Sequence, residues 1–479
     1  MESIWSQSCQ IEERDPMPGD IQTDVAIIGA GMTGILTAHR LQQAGIQAVV
    51  LEANRIASGQ TRNTTAKITA QHGLIYHQLI KNFGVKKAEQ YAMANANAVT
   101  EYRRIIDANA IDCDFEETSA YLYADSLEEL QKEAAAAKQL GLCASVVEGA
   151  PAPIPAAGAI KMEQQAQFHP LKFLQAISRP LTIYENTSVQ SVEGHFLVTN
   201  RGKVEAKKVV FACHFPFVNF PGLYFARMHQ ERSYVLALEN AAAPEGMWIG
   251  AGGQWGPAYS LRRYKNLVLL GGESHRAGEN PGGRYEALRQ RAREWFPKGR
   301  EVAHWSAQDC IPADHAPYIG RYAASQPNWY VATGFQKWGM TSAMVAAMIL
   351  CDAICGKEHP CAGVFAPDRL VPQGVPQIAG EGGQAVKGLV KRIFQIPQEK
   401  AQELPVGHGG VVLLEGDKVG VYKDENGAIY AVDIRCPHLG CQLEWNPDEL
   451  SWDCPCHGSR FDYRGRLISG PAQEDLNHA

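Results

Sequence analysis

The order of apolar and polar positions near the N-terminus predicts an alternation of strand and helix. Residues 25–28 form a short apolar run that ends at a glycine. Residues 35–41 then place apolar side chains at helical spacing, and residues 48–51 form a second apolar run. These three segments predict a strand, a helix and a second strand, which is the unit that builds parallel sheets.

Three glycines lie in the turn between the first strand and the helix. Gly29, Gly31 and Gly34 form the pattern Gly-x-Gly-x-x-Gly. It allows a tight turn and lets backbone N–H groups approach a pyrophosphate at the helix N-terminus. Glu52 follows about 20 residues later, at the end of the second strand, where a carboxylate binds a ribose. Together these features predict a dinucleotide-binding unit, and the fingerprint alone fits FAD and NAD equally.

Patterning divides the rest of the chain into further segments. Residues 85–150 look helical, and 127–138 are the clearest example. Residues 234–238 and 267–270 are apolar runs that predict strands of a sheet over the dinucleotide site. Proline and glycine are frequent at 366–383, which indicates a linker. The domain boundaries that we predict are 20–84, 160–222 and 301–365 for the dinucleotide domain, 85–159 and 223–300 for the substrate domain, 366–400 for the linker and 401–479 for a C-terminal domain.

Within the linker, residues 386–394 repeat apolar side chains at helical spacing, with basic residues between them. A basic amphipathic helix can lie on a membrane surface or pack one domain onto another. We favour the second interpretation, because one short helix is a weak membrane anchor.

Composition narrows the functional classes. Hydrophobic residues make up 45% of the 479-residue chain, charged residues 20%, and the net charge is −6. A nucleic-acid partner is therefore not expected. No apolar run reaches the ~18 residues of a membrane span, and the acidic N-terminal segment does not resemble a signal peptide. The chain is too long for a disulfide-rich fold, so most cysteines before position 352 are expected to be reduced and the compartment cytoplasmic.

Cysteine and histidine residues cluster in two short loops near the C-terminus. The first loop has the pattern Cys-x-His-x-x-Cys at 436–441, and the second has Cys-x-Cys-His at 454–457. A zinc ribbon is the alternative, but a zinc site needs only four such ligands. Two matched loops favour a Rieske [2Fe–2S] site, in which one iron keeps two cysteines and the other takes two histidines.

Roughly the last hundred residues resemble the Rieske proteins of respiratory complexes. The resemblance implies that Ser459 donates a hydrogen bond to a cluster sulfide and that 470–472 form a proline loop that screens the cluster from solvent. It also implies two cysteine ligands, two histidine ligands and a disulfide between the loops: Cys436 and Cys454, His438 and His457, and Cys441 and Cys456.

The N-terminal part of the chain resembles the D-amino-acid-oxidase/glycine-oxidase superfamily. Five segments carry the resemblance in order: 55–67, 188–189, 208–214, 309–320 and 330–342. The resemblance implies FAD rather than NAD as the cofactor, a Rossmann-like FAD domain of the α/β (α+β) class and an antiparallel substrate sheet, followed by the small all-β Rieske domain. The implied cofactor-binding residues are Gly29, Gly31, Met32, Thr33, Gly34, Glu52, Ala53, Thr64, Thr65, Ala66, Val189, Gly334, Lys337, Trp338, Gly339, Met340 and Thr341.

The last of these segments runs into a long apolar helix at 340–354. Its N-terminus would face the edge of the flavin that becomes negatively charged on reduction, and a helix N-terminus favours negative charge. The same helix is also expected to be a plain element of the core.

Arginine usually holds the substrate carboxylate in this superfamily, so the arginines of the predicted substrate sheet are candidates for that role. We single out Arg232 with Tyr234 as candidate catalytic residues, because the resemblance places this strand along the pocket. Lys337 is a third candidate, since it lies inside the flavin segment. The other arginine candidates are Arg262, Arg263 and Arg276.

The two resemblances together imply an FAD-dependent dehydrogenase with a one-electron relay. Hydride would pass from a carbon next to nitrogen in a small amine or amino-acid-like substrate to the flavin. The cluster would then discharge single electrons to an external carrier. Two other interpretations stay open: a reductase or monooxygenase whose cluster delivers electrons to the flavin, and an electron-transfer or redox-sensing protein without turnover. A Rieske oxygenase is disfavoured, because its iron ligands normally follow the cluster and little chain remains after His457.

Phe461 affects the expected reduction potential of the cluster. Respiratory Rieske proteins carry a tyrosine at the matching position, and its hydroxyl stabilises the reduced cluster through a ligand sulfur. Without that hydroxyl, we expect a potential in the middle of the roughly −150 to +300 mV Rieske range. A redox titration of the purified protein followed by EPR checks this, and a value as high as the respiratory centres would contradict it.

Overall fold

The computed structural model describes residues 2–256, 258–369, 404–414 and 417–479. Most of the predicted linker, including its amphipathic segment 386–394, lies outside the described residues. After the families that they resemble in sequence, we call residues 2–369 the flavoprotein module and residues 404–479 the Rieske module. Among the described residues, no helix combines the length and the apolar character needed to cross a membrane.

Helices in the described chain occur in the flavoprotein module. Local sequence sets some of their ends. Ser126, for example, accepts a hydrogen bond from the Glu129 N–H at 3.3 Å and so caps the helix that follows. The helices are α1 (Ile4–Ser8), α2 (Met32–Gln43), α3 (Tyr76–Phe83), α4 (Val85–Ala108), α5 (Leu127–Gln139), α6 (Pro170–Ser178), α7 (Arg284–Trp295), α8 (Gly339–Ile354) and α9 (Ala362–Phe365).

Strands occur in both modules. In the flavoprotein module they are β1 (Ile21–Ile28), β2 (Ala48–Leu51), β3 (Lys67–Ile68), β4 (Glu116–Ala124), β5 (Ala144–Glu148), β6 (Gly158–Gln167), β7 (Thr182–Tyr184), β8 (Val189–Glu193), β9 (Phe196–Thr199), β10 (Gly202–Phe211), β11 (Met228–Glu239), β12 (Met247–Gly250), β13 (Ser260–Tyr264), β14 (Leu267–Arg276), β15 (Arg300–Pro312), β16 (Tyr318–Ala323) and β17 (Gln326–Thr333). In the Rieske module they are β18 (Gly409–Leu414), β19 (Asp417–Lys423), β20 (Ile429–Asp433), β21 (Glu444–Asn446), β22 (Ser451–Asp453), β23 (Arg460–Asp462) and β24 (Leu467–Ser469).

The first sheet of the flavoprotein module has the order β16-β17-β10-β1-β2-β7, and the β8–β9 hairpin joins it at β10. Its central strands β17, β10, β1, β2 and β7 are parallel. The carboxyl ends of these strands therefore meet at one edge, which is where ligands bind in open α/β sheets. The predicted strand–helix–strand unit at the N-terminus forms this centre as β1, α2 and β2.

The second sheet has the order β15-β11-β14-β13-β12-β4-β6-β3 and is antiparallel except where β12 meets β4. It is the expected substrate sheet. Two predicted boundaries differ from the structure. From residue 160 in β6 and from residue 301 in β15, the two strands were expected in the dinucleotide domain, but they pair in this sheet. The expected helical region 85–150 also contains strands β4 and β5. Apolar patterning shows that a segment is buried but does not identify its partner strand.

Helix α8 is the central element of the core. Its residues are buried along almost the whole helix, as the apolar run at 340–354 predicted. It packs against α2 and α4. The two helices that begin at the predicted flavin segments, α2 and α8, are therefore held side by side.

The Rieske module consists of a three-stranded sheet, β18-β19-β20, and a four-stranded sheet, β21-β22-β23-β24. Its core contains Trp452 and Phe461, which are both fully buried. The expected small all-β domain is confirmed.

A buried ionic network joins the two modules. Arg232 on β11 donates from Nε to a Glu449 carboxylate oxygen at 3.0 Å, and Ser306 on β15 donates to the same carboxylate. On the Rieske side, Glu449 lies 3.2 Å from Arg460, which lies 2.9 Å from Asp453. Each of the four charged side chains exposes 8% or less of its surface. Two positive and two negative charges therefore balance inside the interface.

Removal of one partner from this network should be costly. In the variant Glu449→Ala, Arg232 keeps its burial but loses its counter-charge, and an uncompensated buried charge costs about 3–5 kcal/mol. We expect a lower free energy of unfolding by about that amount in urea titrations of the full-length protein. Glu474→Ala, at an exposed position of the same module, is the matched control and should change the free energy of unfolding little. Equal values for the two variants would contradict this interpretation.

The network also predicts a pH dependence. Burial alone would raise the pKa of Glu449, but Arg232 and Arg460 outweigh it and hold that pKa at about 2. Because a glutamate in the unfolded chain has a pKa of about 4.3, the ionised carboxylate stabilises the fold above pH ~4.3. This contribution is lost as the pH falls towards 2. Thermal unfolding midpoints between pH 6 and 3 should therefore fall more steeply for the native protein than for Glu449→Ala.

Candidate flavin site and candidate cluster site

The glycine turn has the geometry that a dinucleotide needs. β1 ends at Ile28, and Gly29 adopts a φ of +104°, a backbone conformation that favours glycine. A Cβ atom on Gly34 would lie 1.9 Å from the Gly29 carbonyl oxygen, so only glycine allows this close approach of helix and strand. Gly31 caps α2 without a side-chain hydrogen bond. The N-terminus of α2 can therefore hold a phosphate group.

Glu52 lies at the end of β2 and reaches back to this turn. Its carboxylate accepts hydrogen bonds from the Ala30 N–H at 2.8 Å and the Asn54 N–H at 2.9 Å. Burial raises its pKa, although these N–H groups lower it in part. The Glu52 carbonyl oxygen also accepts from the Thr187 N–H at 2.8 Å. This bond brings Ala53 and the segment before Val189 to the same edge of the sheet.

The segment with Thr64, Thr65 and Ala66 is fixed through its backbone carbonyls. Trp5 donates its indole N–H to the Thr64 oxygen at 2.7 Å. Arg262 donates from Nη1 to the Thr65 oxygen at 2.7 Å and the Ala66 oxygen at 2.6 Å. Arg262 is one of the candidate carboxylate-binding arginines, and its guanidinium group binds the backbone of this segment instead.

The same segment contacts the beginnings of both helices. Thr61 accepts a hydrogen bond from the Met32 N–H in the first turn of α2 at 3.0 Å. Thr341, in the first turn of α8, lies 3.2 Å from the Thr69 carbonyl oxygen. Trp338 caps α8 without a side-chain hydrogen bond. The starts of the two helices and the segment between them therefore line one region, which fits a cofactor with a pyrophosphate and a flavin ring.

Lys337 lies immediately before α8 and contacts two carboxylates of the second sheet. Its Nζ atom is 3.3 Å from Glu231 and 3.3 Å from Asp309. Partial burial lowers the Lys337 pKa, but the two carboxylates outweigh this effect and raise that pKa overall. Lys337 keeps 41% of its side chain accessible. Of the three candidate catalytic residues, it is the one that the structure brings to the start of α8.

Arg232 and Tyr234 lie elsewhere, at the contact between the modules. Arg232 is bound to Glu449, and the Tyr234 hydroxyl lies 3.0 Å from His275 and accepts from Asn280 at 3.1 Å. The expectation that they contact substrate differs from the structure, because the face of β11 that carries them is covered by the Rieske module.

The two Rieske loops are joined by a disulfide between Cys441 and Cys456. The Sγ atoms of Cys441, Cys454 and Cys456 lie within 4.8 Å of one another. Cys441 and Cys456 form the disulfide, so Cys454 is the one of these three that can bind iron. Cys436 and Cys454 are buried free thiols, and a hydrogen bond from Cys454 lowers the Cys436 pKa to about 7. This is the pair expected to bind one iron.

The two histidines of the loops also meet. The ring centroids of His438 and His457 are 4.9 Å apart. Burial lowers the His438 pKa to about 4 and the His457 pKa to about 3, so both imidazoles are neutral at pH 7. Nδ1 of His438 and both ring nitrogens of His457 are buried without a protein hydrogen-bond partner among the described residues. Two free thiols and two neutral imidazoles with orphaned nitrogens fit a [2Fe–2S] cluster.

The second Rieske loop packs directly on the flavoprotein module. Gln230 on β11 donates to the His457 carbonyl oxygen, and Gln308 on β15 donates to the Gly458 carbonyl oxygen at 2.7 Å. The backbone N–H of Gln308 donates to Gln60 at 2.7 Å. A continuous set of hydrogen bonds thus runs from a cluster ligand to the segment that lies beside the helix starts.

Sequence reasoning missed the residues of this contact. The pattern of β11 held an indication of them, because Gln230, Arg232 and Tyr234 are polar and buried at every second position. Buried polar side chains need partners, so this alternation was a sign of a polar contact surface. Asn219, in the segment before β11, also takes part in the contact, because its side chain lies 2.7 Å from Nε2 of His438. It had no comparable sign in the sequence.

Comparison with known proteins gives matches for both modules. Residues 24–353 match the DAO family, described as FAD dependent oxidoreductase, and residues 395–479 match the Rieske [2Fe-2S] domain. The putative Rieske 2Fe-2S iron-sulfur protein YhfW of Bacillus subtilis (strain 168) is 37% identical over 495 residues, which is 99% of this chain and 97% of that protein. The cytochrome b6-f complex iron-sulfur subunit of Synechococcus elongatus is 36% identical over 124 residues, 25% of this chain and 64% of that protein.

Among solved structures, glycine oxidase from Geobacillus kaustophilus is similar in fold. It superposes with a TM-score of 0.60 at 19% identity, covering 73% of this chain and 99% of that chain. The predicted fold class, family and cofactors are confirmed. The chain belongs to the DAO family of FAD-dependent oxidoreductases and carries a Rieske [2Fe–2S] domain at its C-terminal end.

Proposed function

We propose that this enzyme is a flavin-dependent dehydrogenase for a small amine or amino-acid-like substrate. FAD would accept hydride from the carbon next to nitrogen, and the cluster would carry electrons one at a time to an external one-electron carrier. The observation that carries the proposal is the direct packing of the second cluster loop on the flavoprotein module, through Gln230 and Gln308.

The contact is suited to electron transfer because it is rigid. Electron tunnelling slows steeply with distance, so a relay works best when both redox groups are held in one arrangement. Gln308 is fully buried and binds Gln60, Gln230 and Gly458 at once. The ionic network around Glu449 holds the same face from a second point. The Rieske module is thus fixed by side chains from two neighbouring strands, β11 and β15.

The charges beside Lys337 support an amine substrate. Glu231 and Asp309 both contact Lys337, so one positive charge faces two carboxylates. His229 and Lys337 overcome the effect of burial and lower the Glu231 pKa to about 2. Carboxylates at this position can attract the positively charged amino group of a substrate. The catalytic assignment of Lys337 and the cytoplasmic location remain parts of this proposal.

An anaerobic screen tests the direction of electron flow. Amines, N-methyl compounds and amino acids are mixed with the FAD-loaded and cluster-loaded protein, while absorbance follows the flavin and EPR follows the cluster. We expect one compound class to bleach the flavin and a Rieske signal to appear afterwards. Flavin that bleaches only after an external reductant has filled the cluster would instead support the reductase or monooxygenase interpretation.

The variant Gln308→Leu tests whether electrons pass from the flavin to the cluster through this contact. It removes the donors to Gly458 and Gln230 but no group beside Lys337, so substrate should bleach the flavin at the native rate. Appearance of the cluster signal should slow by on the order of tenfold or more, because the partner that positions the cluster loop is lost. Gln139→Leu, at an exposed position of α5, is the control. Native transfer rates in both variants would argue against this route.

A further inference from the structure

One ligand histidine of the cluster is bound by a side chain of the flavoprotein module. Nε2 of His438 lies 2.7 Å from Oδ1 of Asn219. Asn219 belongs to the segment between β10 and β11, far from the Rieske module in the sequence. The two residues are 219 positions apart.

This hydrogen bond determines which nitrogen of His438 carries the proton. An amide oxygen only accepts hydrogen bonds, so Nε2 is the protonated nitrogen and donates to Asn219. Nδ1 then offers its lone pair, and it is the nitrogen left without a protein partner among the described residues. The opposite amide orientation would direct an N–H group at Nε2 and force the proton onto Nδ1, which would block the metal ligand. Only the first arrangement is compatible with an iron bound at Nδ1.

The second ligand histidine has a different environment. His457 is surrounded by aromatic rings, with Phe225 at 5.7 Å and Phe215 at 6.4 Å between ring centroids. Neither of its ring nitrogens has a protein hydrogen-bond partner among the described residues. Arg276 of the flavoprotein module acts on His457 through its charge. Of the two imidazoles, His438 is therefore the one that this module is seen to bind through a side-chain hydrogen bond.

We propose that Asn219 is a positioning residue of the cluster, supplied by the flavoprotein module, that lowers the reduction potential. An oxidised cluster withdraws more electron density from its imidazole ligand and makes the Nε2–H group a stronger donor. The hydrogen bond to Asn219 is then stronger in the oxidised than in the reduced state, and it favours the oxidised state. Outer hydrogen bonds of this kind tune metal centres and fix the orientation of the histidine ring.

The test is a redox titration of full-length, cluster-loaded variants, followed by the EPR signal of the reduced cluster. Asn219→Ala removes the acceptor and should raise the potential. Asn219→Asp supplies a charged acceptor and should lower it. We expect a several-fold change in the one-electron reduction equilibrium in each direction, where a tenfold change corresponds to 59 mV. Because chemical reductants fill the cluster, the result does not depend on the substrate or on the direction of electron flow proposed above.

Asn82→Ala, in α3 of the same module, is the matched control and should keep the native potential. Opposite shifts for Ala and Asp at position 219, with normal iron content, are the expected result, since a purely structural role would not give opposite signs. Native potentials in both variants would overturn the proposal. If neither variant holds a cluster, the contact serves assembly only, and the role in setting the potential is likewise overturned.

Discussion

The arrangement of this enzyme depends on the buried polar contact between the second sheet of the flavoprotein module and the cluster loops. Arg232 and Glu449 neutralise each other inside it, and Gln230 and Gln308 bind the carbonyl groups of the second loop. Because buried charges and buried amides are tolerated only when they are paired, the contact has one low-energy geometry. This constraint sets the position of the cluster relative to the flavin site.

The flavin site follows from a different constraint, which is close backbone packing. Gly34 lets α2 approach the Gly29 carbonyl oxygen, and α8 packs beside α2 through an almost fully buried surface. The segment around Thr65 is held by Arg262 at its carbonyls and touches the starts of both helices. Two helix N-termini are thus brought to one region, where their positive dipole ends can bind anionic groups without any charged side chain.

The two sites are connected by residues that belong to neither motif. Gln308 contacts Gln60 beside the flavin site and Gly458 in the cluster loop, and Asn219 binds a cluster ligand. In a chain with two redox centres, such residues can control both the rate of transfer and the potential of each centre. The flavoprotein module is therefore more than a support for the Rieske module.

The sequence by itself determined the two chemical sites, because each depends on residues a few positions apart. The glycine turn, the carboxylate of Glu52 and the two cysteine–histidine loops could be identified from spacing, and so could the buried helix α8. The tertiary structure alone decided which strands share a sheet, that Arg232 and Tyr234 serve the module contact, and that Asn219 reaches His438. These outcomes rest on pairs such as Arg232 and Glu449, which are 217 positions apart, and local spacing carries no information about partners at that distance.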